Sequence, residues 1–228
     1  VHRRLSATMA EFGGWEMPIS YPTGTIEEHL ACRRGAAVVD VSHLGTVRVA
    51  GTDAFDRLQR SFTNDLAKIE RGRAQYTHLL DADDASVLDD IIVWWHPDDG
   101  VDIFDVMPNA SNTDRVSAAV GGVDITRERA VIAVQGPSAR EVVRSVFPAA
   151  GGIGRFRVAV ATWNDAECTV AGTGYTGEPG VEIAVPVAAA TALWEGRVSG
   201  FSLDAIQHQV EIKNAVWRLF VEFPPITR

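Results

Sequence analysis

The stretch Leu-Asp-Asp-Ile-Ile-Val-Trp-Trp, residues 88–95, constrains the fold more than any other in this chain. Read as a β-strand, its period-two alternation places Asp90 on one face with Ile92 and Trp94, and Asp89 on the other with Ile91, Val93 and Trp95. Whichever face turns inward, one carboxylate lies among apolar neighbours. Aspartate is seldom buried unless it is paired or used. Desolvation would raise its pKa, whereas a hydrogen-bonded cation or amine would hold it ionised. The alternative is that both aspartates cap the strand's entry and stay wet.

Short apolar runs broken by frequent turn residues favour strands mixed with a few helices. Strands are expected at 46–50, 74–80, 87–95, 101–107, 130–134, 153–161, 168–171 and 181–186, and helices at 26–34, 52–61, 112–120, 137–147 and 188–195. The fourth helix opens on Pro137, where a missing N–H costs nothing. The elements interleave without a strict repeat, which makes the class mixed α+β. Phe-Gly-Gly-Trp-Glu-Met-Pro-Ile-Ser-Tyr, residues 12–21, is expected as a loop, because Pro18 and the glycines exclude a regular helix. From Gly196 onward the composition shifts towards Gln, Ile and Phe, with a strand or helix expected around 216–223.

Gly172, Gly174 and Gly177 have the spacing of a dinucleotide-binding loop, but such a loop must open a helix. Here Glu178-Pro179-Gly180 leads into Val-Glu-Ile-Ala-Val-Pro, a strand pattern, and Glu178 would oppose a phosphate. A hairpin of 168–171 with 181–186 fits better, with Tyr175 at its tip and Glu182 on the face opposite Val181, Ile183 and Val185. It is either an ordinary hairpin with an exposed tyrosine or a turn whose backbone approaches a ligand closely.

Acidic residues outnumber basic ones 30 to 21, for a formal charge of -9, which argues against a nucleic-acid surface. A small molecule or another protein is the expected partner. No run approaches the roughly 20 apolar residues of a membrane span, and the start lacks the apolar region of a secretory signal, so a cytoplasmic location is expected. Cys32 and Cys168 stand outside any CxxC pattern. Glu27, Glu28 and His29 are adjacent on a helix and point to different faces, so no metal site is expected.

Eight motifs, in order, resemble the aminomethyltransferase (T-protein) family of the glycine cleavage system over about residues 8–195. They are Phe12–Tyr21, Glu-Glu-His at 27–29, Val-Val-Asp-Val-Ser-His-Leu-Gly at 38–45 and Thr-Asn-Asp-Leu at 63–66. Leu-Asp-Asp-Ile-Ile-Val at 88–93, Pro-Asn-Ala-Ser-Asn at 108–112, Ala-Val-Gln-Gly-Pro at 133–137 and Gly-Tyr-Thr-Gly-Glu-Pro-Gly-Val-Glu at 174–182 complete them.

The resemblance implies a folate-binding fold of two mixed α/β domains. The first is discontinuous, residues 1–43 plus 131–195, and the second, 44–130, is inserted in it. It implies tetrahydrofolate as co-substrate, no metal, and a lipoylated H-protein as partner. The reaction would move the methylene carbon of an aminomethyl-lipoyl arm to tetrahydrofolate and release ammonia. By motif, Asp90 matches the catalytic aspartate, which would orient the folate amine region and raise its nucleophilicity. Asn109, Tyr175, Glu182 and Leu44 match folate-contacting positions.

Three departures stand out. Leu44 replaces a methionine, Ala85-Ser86 replaces a Gly-Gly pair, and residues 196–228 match neither the Gly-Leu-Gly-Ala-Arg-Asp segment nor the C-terminal barrel domain, which is expected to be missing. The competing expectations are a folate-binding module without catalysis, a related folate-dependent demethylase, and a non-functional fragment. Binding-module relatives carry a Lys-Gly-Cys-Tyr motif where this chain has Gly-Thr-Gly-Tyr-Thr-Gly-Glu.

Overall fold

The computed structural model describes residues 2–98 and 100–194. The chain opens with β1 (Thr8–Phe12), β2 (Trp15–Ser20), α1 (Thr25–Arg34) and β3 (Ala37–Asp40). A middle stretch follows with β4 (Val47–Ala50), α2 (Ala54–Ser61), β5 (Ala74–Leu80), β6 (Val87–Trp95), β7 (Ile103–Met107), α3 (Thr113–Val120) and β8 (Val123–Asp124). The remainder comprises β9 (Arg129–Gln135), α4 (Ala139–Val146), α5 (Pro148–Gly151), β10 (Val158–Trp163), β11 (Ala166–Ala171), β12 (Gly180–Pro186) and α6 (Val187–Trp194). This is the mixed α+β class expected from the sequence. The element expected at 216–223 lies outside the described residues.

The larger strands form two five-stranded antiparallel sheets, in the orders β10-β11-β12-β9-β3 and β5-β6-β7-β4-β8. The second sheet is built wholly from the middle stretch. The first joins β3 to β9 across that stretch. Each sheet packs helices on one face. Ala139, Val143 and Val146, spaced i, i+4, i+7 on α4, meet Ile132, Val134, Ile183 and Val185. Leu58 of α2 and Val116 and Val120 of α3 meet Val47, Val49, Ile91, Val93 and Phe104. Gly121 ends α3 with a left-handed φ of 62°, where glycine carries no Cβ penalty.

The other faces of the two sheets pack on each other. Trp94, Met107 and Ala74 meet Val131, Ala133, Val158 and Ala171, and small residues on one wall make room for the fully buried Trp94 ring. Truncating such a ring costs about 3–5 kcal/mol. Both faces of β6 are therefore covered, which accounts for its unbroken apolar run.

Residues 12–21 are not the loop expected from Pro18 and the glycines. Residues 12–20 belong to the β1–β2 hairpin, with Phe12 opposite Trp15. Gly13 and Gly14 form its tip at φ 58° and 82°, the positive values a tight two-residue turn requires. Pro18 is tolerated because both strands of a two-stranded ribbon are edges. No helix among the described residues is long and apolar enough to cross a membrane.

Candidate active site

The inter-sheet layer runs out at one end, and the sequence-selected residues gather there. On β6, Asp89 points into the helix-covered core with Ile91 and Val93, and Asp90 points the other way, exposed, just beyond Ile92 and Trp94. The buried carboxylate demanded by the alternation is thus Asp89, 4% exposed. It is satisfied by amide donors. The Asn109 backbone N–H donates to Oδ2 at 3.0 Å, and Asn109 Nδ2 and Asn112 Nδ2 donate to Oδ1 at 2.7 and 3.0 Å. Asp90 accepts from Asn109 Nδ2 at 2.9 Å through Oδ1, and from the Tyr76 hydroxyl at 3.3 Å through Oδ2.

The opposite wall comes from the β11–β12 hairpin, whose register pairs Ala171 with Glu182 and Val170 with Ile183. Glu182 lies on the inter-sheet face and is 7% exposed; Thr173 Oγ1 donates to its Oε2 at 2.5 Å. Burial raises its pKa, and the Thr173 hydrogen bond and nearby Arg129 offset part of that rise. The hairpin's glycines hold no phosphate loop. Gly174 and Gly180 fit around Gln135, 0% exposed, whose Nε2 donates to the Thr173 carbonyl at 3.1 Å and whose Oε1 accepts from Thr176 Oγ1 at 3.1 Å. A side chain on Gly174 would collide with that amide, and one on Gly180 with the Val134 carbonyl. The turn so pegged presents Tyr175, which is 56% exposed. Desolvation, followed by the charge of Glu182, raises the pKa of the phenol.

Leu44, Tyr76, Asp90, Asn109, Tyr175 and Glu182 line one cleft, with Ile92, Met107 and Pro108 between them. All five residues selected from the sequence therefore share a single site. Leu44 reaches it because Gly45 packs on the following motif, its N–H donating to the Pro108 carbonyl at 3.0 Å. A family model described as the GCVT N-terminal domain matches residues 1–199.

The chain belongs to this family.

Among curated relatives it is 41% identical over 218 residues to the aminomethyltransferase of Chlorobaculum tepidum, covering 90% of this chain and 58% of the relative. It is 40% identical to that of Mycobacterium tuberculosis, with 88% and 55% covered. The solved structure of the glycine cleavage system aminomethyltransferase T from Bartonella henselae is similar at a TM-score of 0.74 and 29% identity, over 87% of this chain and 55% of that one. The chain thus spans a little over half the length of the aminomethyltransferases it matches.

Tyr76 was not legible as a site residue. It stands 42% exposed on β5, opposite Ile92, two residues from His78, which pairs with Asp90 itself. Only strand pairing brings it to Asp90, so no motif marks it. A second, larger cleft of about 590 Å³ lies between the β1–β2 hairpin, α1 and β3, and shares Tyr175 with the first. No group of three or more His, Cys, Asp and Glu side chains that could hold a metal occurs among the described residues.

Proposed function

We propose that this cleft binds tetrahydrofolate and that the chain carries the folate-binding part of an aminomethyltransferase of the glycine cleavage system. The observation that carries the reading is the convergence of Asp90, Asn109, Tyr175, Glu182 and Leu44 on one cleft. The chemistry of the lining fits a flat, N–H-rich ring. Tyr175 offers an aromatic plate, Leu44, Ile92 and Met107 offer apolar contact, and Asp90 and Glu182 offer carboxyl oxygens to ring and amino N–H groups.

In this reading tetrahydrofolate supplies the amine nitrogen that accepts a one-carbon unit. Asp90, oriented by Asn109 and Tyr76, hydrogen-bonds the amine region and fixes it for attack. Glu182 and Tyr175 hold the ring from the other wall. The donor is the aminomethyl-lipoyl arm of H-protein, which leaves its methylene carbon and releases ammonia. The second cleft, meeting the first at Tyr175, is read as the donor's approach. The setting is cytoplasmic.

Calorimetric titration of the chain with tetrahydrofolate tests the reading: saturable 1:1 binding is expected, and none by folded protein overturns it. Loaded H-protein then tests transfer. Because the chain spans 58% of the Chlorobaculum tepidum relative, folate binding without catalysis is the second reading, and binding without release of ammonia would select it.

A further inference from the structure

Asn109 stands between two carboxylates. Its Nδ2 donates to Asp89 Oδ1 at 2.7 Å and to Asp90 Oδ1 at 2.9 Å. Asp89 does not line the cleft, and its three hydrogen bonds all come from Asn109 and Asn112. Asn112 is itself held by the Leu88 carbonyl, to which its Nδ2 donates at 3.2 Å.

We infer that Asp89, braced by Asn112, is a positioning residue for the site: it fixes the Asn109 carboxamide with both N–H bonds on the carboxylates and Oδ1 presented to the cleft as an acceptor. A carboxamide has one donor end and one acceptor end. Turned by 180°, it would press Oδ1 against oxygens of Asp89 and Asp90 and strip the buried Asp89 of a donor. The orientation is therefore set before any ligand arrives. Two consequences follow for recognition. The cleft prefers a ligand that offers an N–H opposite Asn109, and Asp90 keeps Oδ2, the oxygen shared only with Tyr76 at 3.3 Å, for the incoming group. The ligand in this inference rests on the tetrahydrofolate reading, whereas the amide orientation does not.

Asp89→Asn preserves shape but replaces one acceptor oxygen with a donor, so three N–H groups compete for one oxygen. In the full chain, tetrahydrofolate is expected to bind about tenfold more weakly to this variant. Asn109→Ala is expected to lose a similar factor, and adding Asp89→Asn to it should cost nothing more, since the residue acted through is gone. Equal losses in the two backgrounds would overturn the inference, because a general structural defect would weaken both alike. Should Asp89→Asn fail to fold, Asn112→Ala serves: about a threefold loss is expected, again absent beside Asn109→Ala, and any loss that persists there counts against the inference. A second readout needs no ligand. The Asn109 side-chain amide protons, followed by ¹⁵N–¹H spectra, should exchange about tenfold faster in Asp89→Asn or Asn112→Ala than in the parent. Unchanged exchange refutes the positioning role, and a parent that binds no tetrahydrofolate refutes the folate reading while the exchange comparison still decides this one.

Discussion

A Cβ on Gly174 would stand 1.9 Å from Oε1 of the fully buried Gln135. The amide cannot swing away without releasing the Thr173 carbonyl and the Thr176 hydroxyl, so the glycine and the glutamine determine each other. Gly174→Ala is expected to cost about 1–3 kcal/mol in urea unfolding. Gly180→Ala should cost more, because its Cβ would meet the Val134 carbonyl at 2.2 Å and a backbone atom cannot rotate aside. An unchanged midpoint for Gly174→Ala would mean that Gln135 yields freely.

Ala85 adopts φ 60°, a left-handed conformation that an alanine side chain disfavours. It sits in the turn closed by the Asp81 N–H on the Ser86 carbonyl, where the motif reading expects Gly-Gly. Ala85→Gly should stabilise the chain by roughly 0.5–1 kcal/mol after the entropy of the freer unfolded residue is subtracted. Thermal unfolding checks this, and a lowered Tm would show that the turn does not feel the strain.

Asp105 carries a pH dependence. Burial raises its pKa, but hydrogen bonds from His96 at 2.9 Å and from Arg48 at 2.8 and 2.9 Å outweigh it and bring the value to about 2. Between about 2 and the ordinary 3.8 the native state binds fewer protons than the unfolded chain, so the stabilisation is complete above that window and is lost as pH falls through it. The difference is worth about 2 kcal/mol. Asp105→Asn should be less stable than the parent at pH 5, and the gap should narrow by about 1 kcal/mol at pH 3. A gap independent of pH would place the effect elsewhere.

Asp90→Asn should retain tetrahydrofolate binding while slowing transfer by about 10²-fold or more, the scale of a positioned acid–base group. Steady-state rates with loaded H-protein measure it, and a rate equal to the parent's removes Asp90 from the chemistry.

Tyr175→Ala should weaken tetrahydrofolate binding by about tenfold through loss of the aromatic plate, whereas Tyr175→Phe keeps the plate and should stay within about twofold. Calorimetry on the two variants separates ring from hydroxyl. Equal losses would assign the contact to the hydroxyl.

Much of this architecture is legible from local pattern. The alternation in residues 88–95 requires one buried carboxylate, and the strand after Gly180 excludes a phosphate loop. Which aspartate is buried was not legible, because β6 is covered on both faces and the outcome depends on where the inter-sheet layer ends. For the same reason Glu182, expected opposite the apolar face of its strand, is itself buried. Gly13-Gly14 is a turn signal for the β1–β2 hairpin, but Pro18 reads locally as a breaker, and only the two-stranded pairing shows it to be an edge residue. Tyr76 and Gln135 act through pairings more than ten residues away in sequence, and no local window contains that information.

The pairing of Val39 with Ala133 closes a chain segment of roughly ninety residues. Such a contact is entropically remote in an unordered chain, and becomes near only after the intervening strands have folded on their own short-range pairings and drawn their two ends together. The connectivity therefore favours assembly of the middle sheet before the split one. The cleft takes one wall from each sheet, so it exists only where both have formed, and ligand binding there would report on the pairing of residues roughly ninety positions apart.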